Sequence, residues 1–324
     1  MKREITKKEN MGCVLAGKRP EWIPSFFDDC AFVHSIALDR KPGQKAGRAV
    51  DVFGTEFTQT VDGWMPVYSK TGEYALCDIT KWKGVMPGIS LSEVDWEEDA
   101  RLIKAMHVKD GQVINYNAGW VWDQLHYMMG FEEALLALVL EPEACRECLD
   151  AIADFWIDAM RRLSKHLKPD LIMFMEHLAT HRGLLMSPET YRAVIKPVHR
   201  KMFAAIAELG VPPEIHVDGY IEDLIPDFAE MGIKVIQPFQ VMNDINRYKE
   251  QYDLVAIGGW DAFGPGNLEG ATEEDIRASV RLSMDTYGPA YRYVFMESGL
   301  TPKFSGHIKY IKDEASRYGR AYYK

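Results

Sequence analysis

The chain has 324 residues, 47% of them hydrophobic, with 25 Gly, 16 Pro and a formal net charge of −10. That length fits two average domains or one large α/β barrel, and the apolar share supplies a sizeable core. The acidic balance excludes nucleic acid as a general partner, because phosphate binding needs a cationic surface, and no run of about 18 apolar residues offers a membrane span.

In chain order, the charged start Met1-Lys2-Arg3-Glu4 leads into no apolar signal-peptide core, so no secretory signal is expected. Residues 6–16 read as a short amphipathic helix ended by Gly17. Residues 22–27 read as an apolar strand running into Asp28-Asp29, and residues 31–48 as irregular, with a turn at Lys41-Pro42-Gly43. Gly54 and Asp62-Gly63 break residues 51–67 into short β-rich pieces, a hairpin pattern that residues 74–88 continue. Residues 40–100 are thus expected to be an excursion over a barrel mouth, with the whole of 1–324 a single domain.

From Trp96 onward strands and helices alternate. Strands are predicted at 113–117, 171–175, 214–218, 234–236, 254–257 and 291–296. Helices are predicted at 131–140, 143–166, from Ser187-Pro188 to Leu209 (one helix or a pair), at 221–231, up to Tyr252, and at 273–287. Ser187 is a natural N-cap, with Pro188 in the first helical position. Repeating βα units predict a parallel sheet, and this many suggest closure into a (β/α)8 TIM barrel, although only seven strands can be placed. Five scattered cysteines (Cys13, Cys30, Cys77, Cys145, Cys148) fit a reducing cytoplasm, the expected location. Cys145 and Cys148 form a CxxC inside a helical run with no second pair, so they read as helix residues rather than a zinc or redox site.

The strand ends carry the chemistry. In Glu214-Ile215-His216-Val217-Asp218-Gly219, apolar and polar residues alternate, so His216 and Asp218 share one side of a strand, about 7 Å apart at Cα. Gly219 then lets the chain turn. Other strand ends supply Phe27, Asp28 and Asp29; Trp120 and Trp122; Glu176 and His177; Gln237; Trp260 and Asp261; Glu297 and Ser298. In a barrel these face one mouth, where active sites sit. Carboxylates gathered in a pocket need a cation, a metal or a shared proton. A lone histidine at a strand end is more often structural, but His216 beside Asp218 reads as an acid–base pair. Only one of the adjacent Glu176 and His177 can face inward, and Glu176 is taken as the catalytic one. His177 and His181 are assigned to substrate contacts. The indoles of Trp120, Trp122 and Trp260 suit a flat apolar pocket or, more plainly, core packing.

The run Gly183-Leu184-Leu185-Met186-Ser187-Pro188-Glu189-Thr190-Tyr191-Arg192, with Lys196-Pro197 after it, resembles the uroporphyrinogen decarboxylase superfamily. So do Gly130-Phe131-Glu132, Glu141-Pro142-Glu143, the His216–Gly219 element with Leu224-Ile225-Pro226-Asp227-Phe228, and Gly258-Gly259-Trp260-Asp261. The resemblance covers about residues 110–310 and implies a (β/α)8 barrel.

True decarboxylases of that superfamily carry an arginine-rich signature near the N-terminus, ending in Gly-Arg-Tyr. Here residues 22–29 end in Asp28-Asp29, which would repel a porphyrinogen polyacid. The likeness to the other branch, the cobamide-dependent methyltransferases, implies methyl transfer from a small O- or N-methylated donor to the cobalt of a separate corrinoid protein. An aromatic methyl ether is the favoured donor. That branch holds zinc through His-x-Cys and a further Cys. His216 matches the histidine, while Asp218 and Ser298 stand about where the thiolates would be. A zinc site would then have to rest on harder ligands, His216, Asp218 and Glu297, or the site would work metal-free by acid–base chemistry. The alternatives are a decarboxylase or lyase acting on a smaller substrate, with Asp28 or Asp218 stabilising a protonated intermediate, and a non-catalytic binding barrel.

Overall fold

The computed structural model describes residues 4–60, 63–67, 74–86, 89–298 and 302–324. Among these, seven strands form one parallel sheet, hydrogen-bonded in sequence order. They are β1 (Cys30–Val33), β2 (Val113–Asn117), β3 (Leu171–Met175), β4 (Pro213–His216), β5 (Val235–Phe239), β6 (Val255–Gly259) and β7 (Tyr293–Met296). The helices are α1 (Lys7–Leu15), α2 (Trp96–His107), α3 (Trp122–Met129), α4 (Phe131–Leu140), α5 (Pro142–Leu167) and α6 (Lys196–Glu208). After them come α7 (Ile225–Glu230), α8 (Ile245–Tyr252), α9 (Glu273–Tyr287) and α10 (Ile308–Ala321). Consecutive parallel strands require crossovers on one face, and the helices supply them. The sheet curls. The Phe295 N–H of β7 donates to the Pro24 carbonyl at 2.9 Å, and Ser25 bridges Phe295, so the segment just before β1 lies beside β7.

The strand alternation sorts two apolar layers. Cys30, Val113, Leu171, Val235, Val255, Ile257, Val294 and Met296 cluster on the inside of the curl, together with Met11 and Val14 of α1. Because α1 meets the first residues of the strands, it plugs their N-terminal end and leaves the C-terminal ends as the open mouth. The opposite-parity residues, such as Ile114, Phe174, Ile215 and Phe295, pack against the helices in the larger cluster. Burying each such side chain contributes about 1.5–3 kcal/mol. Thr6 fixes the start of α1 by a capping box with Glu9.

Three expectations are corrected. The predicted strand over 22–27 is a bridge at Ser25 followed by a helical turn, Phe26–Asp29. The Ser25 carbonyl accepts the N–H groups of Asp28 and Asp29, and the Asp29 carboxylate accepts the Ser25 N–H at 2.9 Å. The strand proper, Cys30–Val33, runs into the stretch expected to be irregular. The helix predicted from 221 begins only at Ile225, where Pro226 tolerates the first turn. Four short antiparallel strands (Lys41–Pro42, Arg48–Val50, Glu56–Thr60, Gly63–Pro66) make the N-terminal excursion. Asp62 of its expected hairpin turn, with Pro87 and Gly88 further on, lies outside the described residues. Cys145 and Cys148 are buried free thiols within α5, and burial pushes both up to about 12, so neither is a ready thiolate.

Candidate active site

Strand β4 ends at His216, and the chain continues extended for two residues before turning at Gly219. A side chain there would meet the Thr180 carbonyl oxygen at 2.6 Å, and φ is +94°, so only glycine fits. This turn holds Asp218 over the strand end, with its Oδ2 3.3 Å from His216 Nε2. The other ring nitrogen, Nδ1, lies 2.5 Å from Oε1 of Gln237, the residue paired with His216 on β5. The Gln237 amide N–H in turn donates to Met296 Sδ at 3.3 Å. With that amide orientation, His216 Nδ1 donates and Nε2 faces Asp218. The structure therefore brings the expected neighbours His216 and Asp218 together, and Gln237, expected only as a strand-end substrate contact, orients the His216 ring.

His177, two residues past the end of β3, joins them. Its Nε2 lies 3.8 Å from Asp218 Oδ2, and its Nδ1 lies 2.5 Å from Oδ2 of Asp123 in the first turn of α3. The His177 backbone N–H also donates to Asp123 Oδ1 at 2.9 Å. Asp123 is fully buried. Burial opposes its charge, but hydrogen bonds from His126 and His177 and the charge of His177 hold the carboxyl well below the usual range. Burial pushes His177 the other way, yet the bond and charge of Asp123, with the charges of Asp218 and Glu176, raise it to about 9. At neutral pH His177 is an imidazolium between two carboxylates, with its side chain 42% exposed. Burial raises the cost of the Asp218 charge too, but His216 and His177 keep its carboxyl below its ordinary value.

The expectation that Glu176 rather than His177 faces the mouth is corrected. Glu176 is completely buried, and its two oxygens accept the Val121 and Trp122 backbone N–H groups, each at 2.9 Å. A carboxylate on the free N–H groups at a helix start is favourable, so Glu176 anchors α3 and thereby places Asp123. His199 Nε2 sits 3.6 Å behind Glu176, and the Tyr191 hydroxyl lies 3.1 Å from His199 Nδ1.

Two hollows flank this polar line. One, of about 530 Å³, is walled by Arg40, Trp64, Trp120, Tyr127, Phe131 and His177. The other, of about 450 Å³, is walled by His181, Asp218, Gln240 and Phe263, with the His181 and Phe263 rings 6.0 Å apart. Trp120 and His181 are thus on cleft walls. Trp122 is not: it is buried beneath the site, its indole donating to the His177 carbonyl at 3.0 Å. Trp260 is buried towards α9, donating to Ser279 Oγ at 3.0 Å, and Asp261 accepts the Phe263 N–H in a local turn. Asp29 turns inward to Ser25 and pairs with Arg320 at 3.0 Å. Phe27 lies under Lys312, 5.5 Å from its ring centre, in a corner where Asp28 and Lys312 both act on Glu297. Burial and the Asp28 charge raise Glu297 to about 7, with Lys312 opposing. Ser298 is buried, and its hydroxyl has no partner among the described residues.

The zinc set raised from the sequence is not assembled. His216 and Asp218 meet, but the charges acting on Glu297 come from Asp28 and Lys312 rather than from that pair. Among the described residues no three His, Cys, Asp or Glu side chains form a group that could hold a metal ion. The expected third donor, Glu297, is thus not part of the His216–Asp218 pair.

Sequence reasoning missed Asp123 and Arg40. Asp123 reaches His177 across 54 residues, and no local spacing announces such a pair. It also passed over Glu214, which lies fully buried inside the curl, accepts Asn115 Nδ2 at 2.8 Å and is raised by burial to about 8.

Against known proteins, the sequence profile described as Uroporphyrinogen decarboxylase (URO-D) matches residues 101–304. In structure the chain is similar to a methyltransferase from Methanosarcina mazei, at 14% identity and a TM-score of 0.64, covering 97% of this chain and 99% of that one. A B12-independent methionine synthase from Shewanella sp. W3-18-1 aligns at 13% identity over 85% of this chain and 75% of that one, and its TM-score of 0.46 carries no argument. No curated protein matches.

Proposed function

The chain belongs to the uroporphyrinogen decarboxylase family, and on that premise we propose that it is a methyltransferase. It takes a methyl group from a small methoxylated compound, an aromatic ether above all, and delivers it to the cobalt of a corrinoid carried by a separate protein. The seven strands, with residues 24–25 beside β7, read as a (β/α)8 TIM barrel whose open mouth receives both the donor and the corrinoid domain.

One observation carries this reading: a charged imidazolium, His177, held by buried Asp123 on the wall of an aromatic cleft. The reduced corrinoid supplies the nucleophile, and the protein's task is the leaving oxygen. As the O–CH3 bond breaks, its electron pair stays on oxygen, and the proton on His177 Nε2 passes to that oxygen. Asp123 holds the ring through Nδ1 and N–H, so Nε2 is the free donor. Phenols have pKa values of about 10, as for tyrosine, so an acid at about 9 nearly matches the leaving group, where general-acid catalysis works best. Asp218, between His177 and His216, faces both rings from one partly exposed carboxylate. Trp64, Trp120, Tyr127 and Phe131 present flat apolar walls that suit an aromatic ring.

The test is anaerobic methyl transfer from a panel of methoxybenzenes to reduced free cobalamin, followed by the change in corrinoid absorbance. Turnover with wild type and its loss in His177→Gln support the assignment. A panel with no turnover at any substrate and corrinoid concentration refutes it.

A further inference from the structure

The cleft holds a second cation besides His177. Arg40 lies on the same wall, its guanidinium 4.1 Å from the Phe57 ring centre and 5.6 Å from that of Trp120. Its Nε is buried without a hydrogen-bond partner, and among the described residues no carboxylate is bonded to the guanidinium. Two acids lie near enough to feel its charge, Asp39 and Asp51, but both are engaged elsewhere. Asp51 accepts the Phe53 and Thr55 N–H groups and the Gln124 amide, and Asp39 sits 3.6 Å from His34 Nε2. His177, by contrast, already has Asp123 and Asp218 beside it. A guanidinium carries its donors in a planar fork, the geometry that grips a carboxylate through two bonds, and here it sits beside two aromatic rings. Arg40 is partly exposed on the cleft wall, and its buried Nε is a donor that a ligand oxygen would satisfy.

We propose that the cleft is built for an anionic methyl donor, a methoxylated aromatic carboxylate, whose carboxylate docks on Arg40 while its methoxy oxygen faces His177. This rests on the methyl-transfer reading for the role of the methoxy group, but the anion subsite stands on Arg40 and the aromatic wall alone. The ring fills the space between Trp120, Trp64 and Phe131, so the two polar ends of the substrate meet the two cations of the wall.

The experiment is calorimetric titration of 3-methoxybenzoate and of its neutral isostere 3-methoxybenzamide into wild type, Arg40→Met and Arg40→Lys, without corrinoid. Wild type is expected to bind the carboxylate about tenfold or more tightly than the amide, as charge-assisted bidentate bonds would give. Arg40→Met should bring carboxylate affinity down to that of the amide while amide affinity changes less than about twofold. Arg40→Lys should keep part of the preference, since a lysine lacks the fork. Circular dichroism of each variant establishes that it is folded, and retained amide binding shows that the cleft is intact. Equal binding of the two ligands by wild type, a preference that survives in Arg40→Met, or binding of neither ligand overturns the proposal. A clear preference with no methyl transfer in any assay upholds the anion subsite and overturns the methyl-transfer reading instead.

Discussion

Replacing Asp123 by Asn removes the buried charge that keeps His177 protonated while preserving the shape of the side chain. The Asn carbonyl can still accept the His177 N–H, but the ring loses its charged partner 2.5 Å away. His177 then falls from about 9 towards its ordinary 6.5, because burial is then opposed only by the charges of Asp218 and Glu176. At pH 7.5 a group at about 9 is roughly 97% protonated and one at 6.5 roughly 9%, so the acid form drops about tenfold. At pH 6 the two differ by less than about twofold. The methyl-transfer rate of Asp123→Asn should therefore match wild type within a small factor at pH 6 and fall about tenfold behind at pH 7.5. In a proton NMR titration of the His177 ring, the midpoint should move down by about two units. The pair also leaves a stability signature. A histidine raised in the folded state stabilises the fold fully below its unfolded value and loses that contribution as pH rises through about 9. The stability gap between wild type and Asp123→Asn should thus close between about pH 6.5 and 9 as far as His177 is concerned. A His177 midpoint unchanged in the variant, or a rate deficit equal at pH 6 and 7.5, would refute the reasoning.

Other outcomes follow from the same geometry. Glu176→Ala strips both acceptors from the Val121 and Trp122 N–H groups, and each buried donor left unpaired costs about 1–3 kcal/mol, to be read as a lower urea midpoint. Glu214 keeps its proton to about pH 8 in the fold but loses it near 4.5 when unfolded, so wild type sheds stability as pH rises across that window. Glu214→Gln should remove this slope, about 1.4 kcal/mol per pH unit, so that urea unfolding at pH 5 and 8 separates the two proteins. Elemental analysis of wild type and His216→Ala, purified without chelators, should show equal and far substoichiometric zinc. Near-stoichiometric zinc that vanishes in the variant would overturn the proton-based account.

Much of the frame is legible in the sequence, because strand and helix periods act locally. The strands at β2 and β3 and the helices α4 and α9 stand where their apolar patterns put them, and Ser187 caps its turn by accepting the Thr190 N–H. His216 and Asp218 meet as period-2 alternation requires, although β4 itself ends at His216. The pairing of Glu176 with the mouth failed for an equally plain reason. Leu171–Met175 is apolar at every position, so nothing in it marks which parity faces inside, and the true inward face runs through Met173 and Met175 to His177. Asp28-Asp29 looked like a mouth pair, but Asp29 is spent on the backbone of the turn that precedes β1. Asp123 and Arg40 became functional candidates only when the fold set them beside partners far away in sequence.

The most direct test of the central claim is to supply a donor labelled with ¹³C in its methoxy group, together with reduced cobalamin, and follow the label by NMR. The account predicts label on cobalt and free phenol in equal amounts with wild type, and neither with His177→Gln at pH 7.5. Carbon dioxide released from a carboxylated donor with the label still on its ether oxygen would contradict it, and would return the site to decarboxylation.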